Sequence, residues 1–393
     1  MPLALRPLHA RDPKAPHRAA TQLELFFDLV SVIAIAAVTA GFHHAVSNAH
    51  GLEKLPNFVF LYVAIWWAWM NHTWFASAFD NDDALYRVLT IIIMLGALVF
   101  AGSVSHIFET LDFGIGVVGW IIMRLAMAGL WLRAAASGPA HRVTAQRYAF
   151  GILFAQALWV LLYLALPAGS AAFIACGVLV FLVEFAVPVY AERAGRTPWH
   201  RHHIIERYGL LNIIVLGEVL LSVSFFFGHA YEHGHTGALV VTAVSGLVLV
   251  FVLWWLYFAE SEHLDTDDFW RTFVWGYGHF FVFAAGALLA VGLGAHFDIL
   301  TDHSRVTPAV ASGWVNGAVA IYLLALYGIR DRFLARGWRN HVLLAGGIVF
   351  MVCAYAGLEP WMAAVLATAI LIIRVYGQDT AHEGSDRPAM PAE

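Results

Sequence analysis

The residues of this chain best able to do chemistry are acids set in apolar surroundings. Glu24 and Asp28 stand four apart in the run LELFFDLVSVIAIA, residues 23–36. Residues four apart share a helix face, so both carboxylates point the same way. With Ser31 and Thr39 they fall in a sector of about 80° on a helix of 3.6 residues per turn. A polar stripe on an otherwise apolar helix must face protein or water rather than lipid. Two uses fit it. One is a cation or proton site on a cavity open to the cytoplasm. The other is a carboxylate pair that anchors helix packing against cytoplasmic arginines.

Three more charges lie deep in apolar runs: Arg124, Glu184 and Glu218. Arg124 and Glu184 sit at comparable depth, and pairing them would relieve the burial cost of each. Such a pair suits a structural salt bridge or a substrate contact. Glu218 shares a face with Ser222, and Asn212 lies further round the same helix. It is a candidate for holding a proton or a cation.

Two acidic clusters repeat one another. Asp80, Asp82 and Asp83 precede Arg87, and Asp265, Asp267 and Asp268 precede Arg271. Each cluster stands before a helix, so one Asp in each suits an N-cap and the others favour the positive end of the helix dipole. A cation vestibule is the other use. Neither has the spacing of a calcium loop. Trp66, Trp67, Trp69, Trp74, Trp254 and Trp255 could wall a site for an organic cation, or serve as interfacial and packing residues. His72, His106 and His279 fit packing roles or a proton relay. His229, Glu232, His233 and His235 crowd one outer loop, where they could hold zinc or nickel, or simply be solvated. No dedicated metal or cofactor site is expected. Cys176 and Cys353 lie in apolar spans and make no disulfide framework. With no nucleophile elbow, zinc-protease motif or phosphate loop, neither an enzyme nor a nucleic-acid partner is expected.

The elements that must carry these residues follow from composition. The 393 residues are 61% hydrophobic and 12% charged, where an ordinary soluble domain is about one quarter charged. Apolar stretches long enough to span a bilayer predict an all-α polytopic membrane protein of about twelve helices in contact with lipid. The spans are 22–45, 57–79, 87–107, 113–133, 147–166, 170–190, 207–227, 238–260, 272–294, 309–328, 341–357 and 361–377. With both termini in the cytoplasm, all of the 22 Lys and Arg residues except Lys54, Arg305 and Arg124 fall on the cytoplasmic side, as the positive-inside rule requires. Residues 1–20 are basic and proline-containing and lack the apolar core of a signal peptide.

The chain also repeats itself. Glu24 corresponds to Glu206, Trp66–Trp69 to Trp254–Tyr257, Asp80–Asp83 to Asp265–Asp268, Gly119–Trp120 to Gly313–Trp314, and Val189–Tyr190 to Val375–Tyr376. Six spans per half is an even number, so the halves run in parallel. The expected organisation is a cytoplasmic tail (1–21), a first six-helix repeat (22–190), a cytoplasmic linker (191–206), a second repeat (207–377) and a disordered tail (378–393). Arg124 aligns with Ala318 and Glu184 with Ile370, so these charges belong to one half only. That asymmetry leans toward a substrate-related role.

The segments ELFFDLVSVIAIAAVT (24–39), NDDALYR (81–87) and HIIERYGLLNIIVLGEVLL (203–221) resemble the signature segments of the bacterial low-temperature-requirement A family. The resemblance covers most of the chain. It implies a multi-pass bacterial membrane protein with a link to growth in the cold. It carries over as motif positions Glu24, Phe27, Asp28, Asp82, Asp83, Arg87, Glu206, Arg207, Gly209, Gly217 and Glu218; Ser31 departs from the family, in which an aromatic is common. LFFDLVSVIAI is also distantly similar to the first helix of two-repeat, six-helix potassium channels, with Phe27 in place of their serine. The leading expectation is transport of a small cation, a proton or a proton-coupled solute across the inner membrane, along a path between the two halves. The alternative is an intramembrane sensor or scaffold in which the buried charges only lock helices together. An oligomer of identical chains is compatible with either.

Overall fold

The computed structural model describes residues 7–13, 15, 18–79, 81–233, 236–260, 264, 268–334 and 337–382. Asp80, Asp265, Asp267 and His235 lie outside the described residues, as do the side chains of His229, Glu232 and His233 and the tail beyond 382. The described residues are mostly helical, with no strand among them. The first six helices are α1 (Gln22–Ser47), α2 (Gly51–Phe79), α3 (Ala84–Thr110), α4 (Gly114–Ser137), α5 (Arg142–Ala165) and α6 (Ala171–Glu192). The next six are α7 (Arg201–His233), α8 (Thr236–Phe258), α9 (Phe269–Leu300), α10 (Pro308–Ile329), α11 (Val342–Ala356) and α12 (Pro360–His382).

This is a polytopic membrane protein, and the bilayer explains its elements. In hydrocarbon each backbone N–H and C=O must be satisfied within its own segment, which a helix does. Among the described residues, 10 helices are long and apolar enough to cross a membrane. α2 is outside that set although it has 29 residues. It carries Asn71, His72 and Thr73, all buried. Its hydropathy is lowered by polar groups that face protein, not lipid. α12 keeps a shorter apolar stretch, Pro360–Val375.

Contacts divide the chain into two compact units, Met1–Phe42 with Lys54–Leu211, and His43–Glu53 with Asn212–Glu393. The division falls inside α1 and α7. In the first unit α3 packs on α4 and α4 on α5. In the second unit the corresponding pairs are α9 with α10 and α10 with α11, and α12 packs on α8. The α3–α4 crossing is close because it has no side chains at its centre. A Cβ on Gly96 would stand 2.7 Å from the Gly119 carbonyl oxygen, and one on Gly119 would stand 2.7 Å from that of Gly96. Small residues at such crossings let helix backbones touch in a membrane. Gly96→Ala is therefore expected to destabilise the protein by about 1–3 kcal/mol, the usual range for overpacking. Reversible unfolding in mixed detergent measures it, and a change below a few tenths of a kcal/mol would contradict the contact.

α3 and α9 are capped alike. Asp83 caps α3 by accepting from the Tyr86 amide at 2.9 Å, and Asp268 caps α9 by accepting from the Arg271 amide at 2.7 Å. These caps satisfy donors that a helix start leaves unpaired. Asp83 also receives Arg133 Nη1 of α4 at 2.8 Å. Arg87 grips the exposed Asp82 with Nε at 2.7 Å and Nη2 at 2.6 Å. Arg271 lies over the Phe333 ring, 4.6 Å from its centroid.

Candidate functional site

In the first unit, the start of α1 is shaped by TQLE, residues 21–24. The Thr21 hydroxyl accepts from the Glu24 amide at 3.2 Å, and Glu24 Oε2 accepts from the Thr21 amide at 2.7 Å. This reciprocal pair is a capping box, which fixes both the helix start and the Glu24 side chain. The other carboxylate oxygen, Oε1, faces two guanidinium groups and an imidazole. Arg18 Nη2 and Arg207 Nη1 each stand 3.3 Å from it, and His203 Nε2 stands 3.0 Å away.

Asp28, one turn along α1, faces the same group. Arg207 donates to it from Nε at 2.9 Å and from Nη2 at 2.6 Å, and the Trp69 indole donates at 2.6 Å. Such two-pronged charge-assisted bonds are the strongest kind. Glu24, Asp28, His203 and Arg207 are all fully buried. The pairing rests on where α7 begins. It starts at Arg201, ahead of the expected start at 207, so His203 and Arg207 lie four apart on one helix face. The expected stripe of α1 therefore meets protein: Ser31 and Thr39 are buried and donate to the Phe27 and Ile35 carbonyls of their own helix.

The N-terminal segment closes this network. Leu8 is buried, and its amide donates to Ser137 Oγ at 2.7 Å. The Arg11 amide donates to the Ala78 carbonyl, and Arg18 donates to the carbonyls of Ala76 and Ser77. The last carbonyls of α2 would otherwise lack partners. Arg18 thus joins the C-terminus of α2 to Glu24. Sequence reasoning treated this segment only as a tail and Arg18 only as a positive charge.

A second buried pair lies deeper in the same unit. Arg124 Nη2 of α4 donates to Glu184 Oε2 of α6. Trp67 donates to the same oxygen at 3.0 Å. The Arg124 guanidinium lies 5.4 Å from the centroid of the Trp120 ring. α2 therefore serves both acids, through Trp69 to Asp28 and Trp67 to Glu184. In the matching WWLY stretch of α8, Trp254 and Trp255 are exposed and Tyr257 Oη bonds to His279 at 3.1 Å.

The other motif residues divide by environment. Phe27 is buried with its ring 4.1 Å from that of His72, which bonds to Thr90 at 3.2 Å. Glu206 is exposed and accepts from the Ala20 amide at 3.1 Å. Gly209 is buried, and a Cβ on Gly217 would meet nothing within 4 Å. His106 is exposed, 3.6 Å from Asp112.

In the second unit, Asn212 is buried and accepts from Tyr322 Oη at 3.2 Å. Glu218 lies near the middle of α7 and is only partly buried. Among the described residues its carboxylate has no hydrogen-bonding or ionic partner. A third ionic cluster here was not foreseen. Arg374 bonds to Glu260 at 3.0 Å and to Asp331 at 3.1 Å. Arg330 holds Asp331 at 2.6 Å and donates to the Leu256 and Tyr257 carbonyls at the end of α8. Arg330 and Arg374 read in sequence as ordinary cytoplasmic charges; only the adjacent Arg330–Asp331 hints otherwise. Among the described residues, no three His, Cys, Asp or Glu side chains are grouped to hold a metal ion.

The family model described as bacterial low temperature requirement A protein (LtrA) matches residues 19–376. The chain belongs to the LtrA family. The comparison with curated proteins and that with solved structures gave no match, so the likeness of α1 to potassium channels gains no support. The LtrA match takes in the whole α1 cap and the α7 segment that meets it. It also takes in all three buried ionic clusters apart from Arg18, which stands one residue ahead of it.

Proposed function

We propose that this LtrA protein is a transporter or channel of the bacterial inner membrane for protons or a small cation, and not an enzyme. The observation that carries the reading is Glu218. Glu24, Asp28 and Glu184 are each held by an arginine and an indole or imidazole. Glu218 has no such neighbour among the described residues. An unpaired carboxylate within a span is expensive unless a proton or a cation neutralises it. Exchange between those two states is the elementary step of cation or proton transport. The network of Arg18, Glu24, Asp28, His203 and Arg207 then acts as the latch at the cytoplasmic end of its unit.

Proteoliposomes test this directly. With imposed proton, sodium and potassium gradients, the wild-type chain is expected to pass one of these ions. Glu218→Gln is expected to lower that flux at least tenfold, because the amide can neither exchange a proton nor neutralise a cation. Glu218→Asp keeps the charge and should retain part of it. Absence of flux for every ion would end the transport reading, and unchanged flux in Glu218→Gln would remove Glu218 from it. The arginines that hold Glu24, Asp28 and Glu184 favour a second reading, an intramembrane scaffold or sensor linked to growth in the cold. That reading requires a null result in the flux panel together with cold-sensitive growth of Arg207→Gln cells.

A further inference from the structure

Apart from the buried clusters, one charged patch lies on the surface of the second unit. It is built from the start of α9, a 3-10 turn that follows α10 (Asp331–Phe333) and a second 3-10 turn that leads into α11 (Gly337–His341). Consecutive spans alternate in direction, so these ends lie on one side of the membrane. The count of arginines assigns that side to the cytoplasm. Asn340 of the second turn donates to the Leu334 carbonyl just past the first and holds the two turns together.

Two guanidinium groups share one ring here. Arg271 stands 4.6 Å from the Phe333 centroid and Arg332 stands 4.4 Å from it. Arg339 lies 5.7 Å from the centroid of the Trp338 ring. Contact with a ring face orients a guanidinium without discharging it. Among the described residues, none of the three guanidinium groups has an acid or a hydrogen-bond acceptor. Two acids stand close in sequence, and both are engaged. Asp331 is buried and held by Arg330 and Arg374, and Asp268 caps α9. Like charges gathered on one surface repel, and an anion relieves them.

Two features select the anion. A guanidinium fork matches the oxygens of a phosphate. Trp270 and Trp338, 63% and 66% exposed, stand at the same end of the unit, and exposed indoles at the ends of spans sit in the headgroup layer. A soluble anion would use the arginines alone, whereas a lipid uses the indoles as well. We propose that this patch binds the phosphate of an anionic phospholipid, with Arg271, Arg332 and Arg339 on the headgroup and Trp270 and Trp338 beside it at the membrane surface. Such a site is independent of whether the chain carries ions.

Native mass spectrometry of the full chain in detergent tests it, by titration with phosphatidylglycerol or with phosphatidylcholine of the same acyl chains. The wild-type chain is expected to bind the first phosphatidylglycerol about tenfold more tightly than phosphatidylcholine, with a preference that shrinks as ionic strength rises. Each arginine facing an anionic headgroup is worth about fivefold. Arg271→Gln, Arg332→Gln and Arg339→Gln together should therefore weaken phosphatidylglycerol about a hundredfold and leave phosphatidylcholine unchanged. Arg142→Gln, Arg193→Gln and Arg196→Gln together remove the same charge from exposed positions of the first unit. They should change phosphatidylglycerol binding by less than about twofold. Equal binding of the two lipids, or an equal loss in the two triple variants, would overturn the proposal. So would displacement of phosphatidylglycerol by millimolar inorganic phosphate, which would mark a soluble anion as the ligand. The lipid comparison and the phosphate competition use the wild-type chain, so they decide the matter even if a triple variant does not fold.

Discussion

Arg207→Gln is expected to destabilise the folded protein by about 3–5 kcal/mol, the range for breaking a buried ion pair by removing one partner. Arg207 gives Asp28 two hydrogen bonds and stands 3.3 Å from Glu24, and none of the three is accessible to solvent. Glutamine cannot replace the charge, so two buried carboxylates would be left with Arg18, His203 and Trp69. The loss comes less from the attraction removed than from the desolvated charge left behind. The sharper test is therefore a double-mutant cycle. Asp28→Asn combined with Arg207→Gln should be far less harmful than the sum of the two single changes, with a coupling of about 1–3 kcal/mol. Reversible unfolding in mixed detergent, followed by circular dichroism, measures each corner. Additivity within about 0.5 kcal/mol would mean that Asp28 and Arg207 are not partners in the membrane-embedded protein.

The second large effect concerns Arg124 and Glu184. Arg124→Leu alone leaves Glu184 buried without a counter-charge, beside the Trp67 indole that donates to it, and is expected to cost about 3–5 kcal/mol. Arg124→Leu with Glu184→Leu removes both charges and should recover most of that loss, because an apolar pair of similar volume is often no worse than a buried ion pair. Unfolding measurements on the three variants decide it. If the double variant is as unstable as Arg124→Leu, the instability comes from lost packing on Trp120 rather than from the orphaned acid.

The two clusters of the first unit share a design. In each, an acid on one helix meets an arginine on another and an indole from α2. Trp67 and Trp69 are two residues apart, so they leave the helix on nearly opposite sides and reach Glu184 and Asp28 separately. The second unit reaches a comparable result by other means. Arg330 satisfies the last carbonyls of α8 and holds Asp331. Arg18 satisfies those of α2 and holds Glu24. Both arginines answer one physical requirement, the unpaired carbonyls at the end of a buried helix and the negative pole of its dipole.

Much of the architecture was legible without coordinates. A bilayer demands about 20 apolar residues per helix and keeps most Lys and Arg on one side. These constraints act on each segment alone, so the helices could be read one at a time. The Asp83 and Asp268 caps were legible for the same reason, since a cap is made within four residues. TQLE is equally local, since a capping box is also made within four residues.

What only the tertiary structure decided is which charge meets which. Asp28 and Arg207 are 179 positions apart, and Arg374 and Glu260 are 114 apart. Nothing in hydropathy or helical period chooses between such partners. The choice depends on which helix faces pack together and where each helix begins, and α7 shows this by starting early enough to bring His203 onto the face of Arg207. Sequence alone determined that acids would be buried in the membrane-spanning helices. Folding determined that Asp28 and Glu184 would meet arginines and indoles, that Glu24 would meet arginines and an imidazole, and that Glu218 would have no such partner among the described residues.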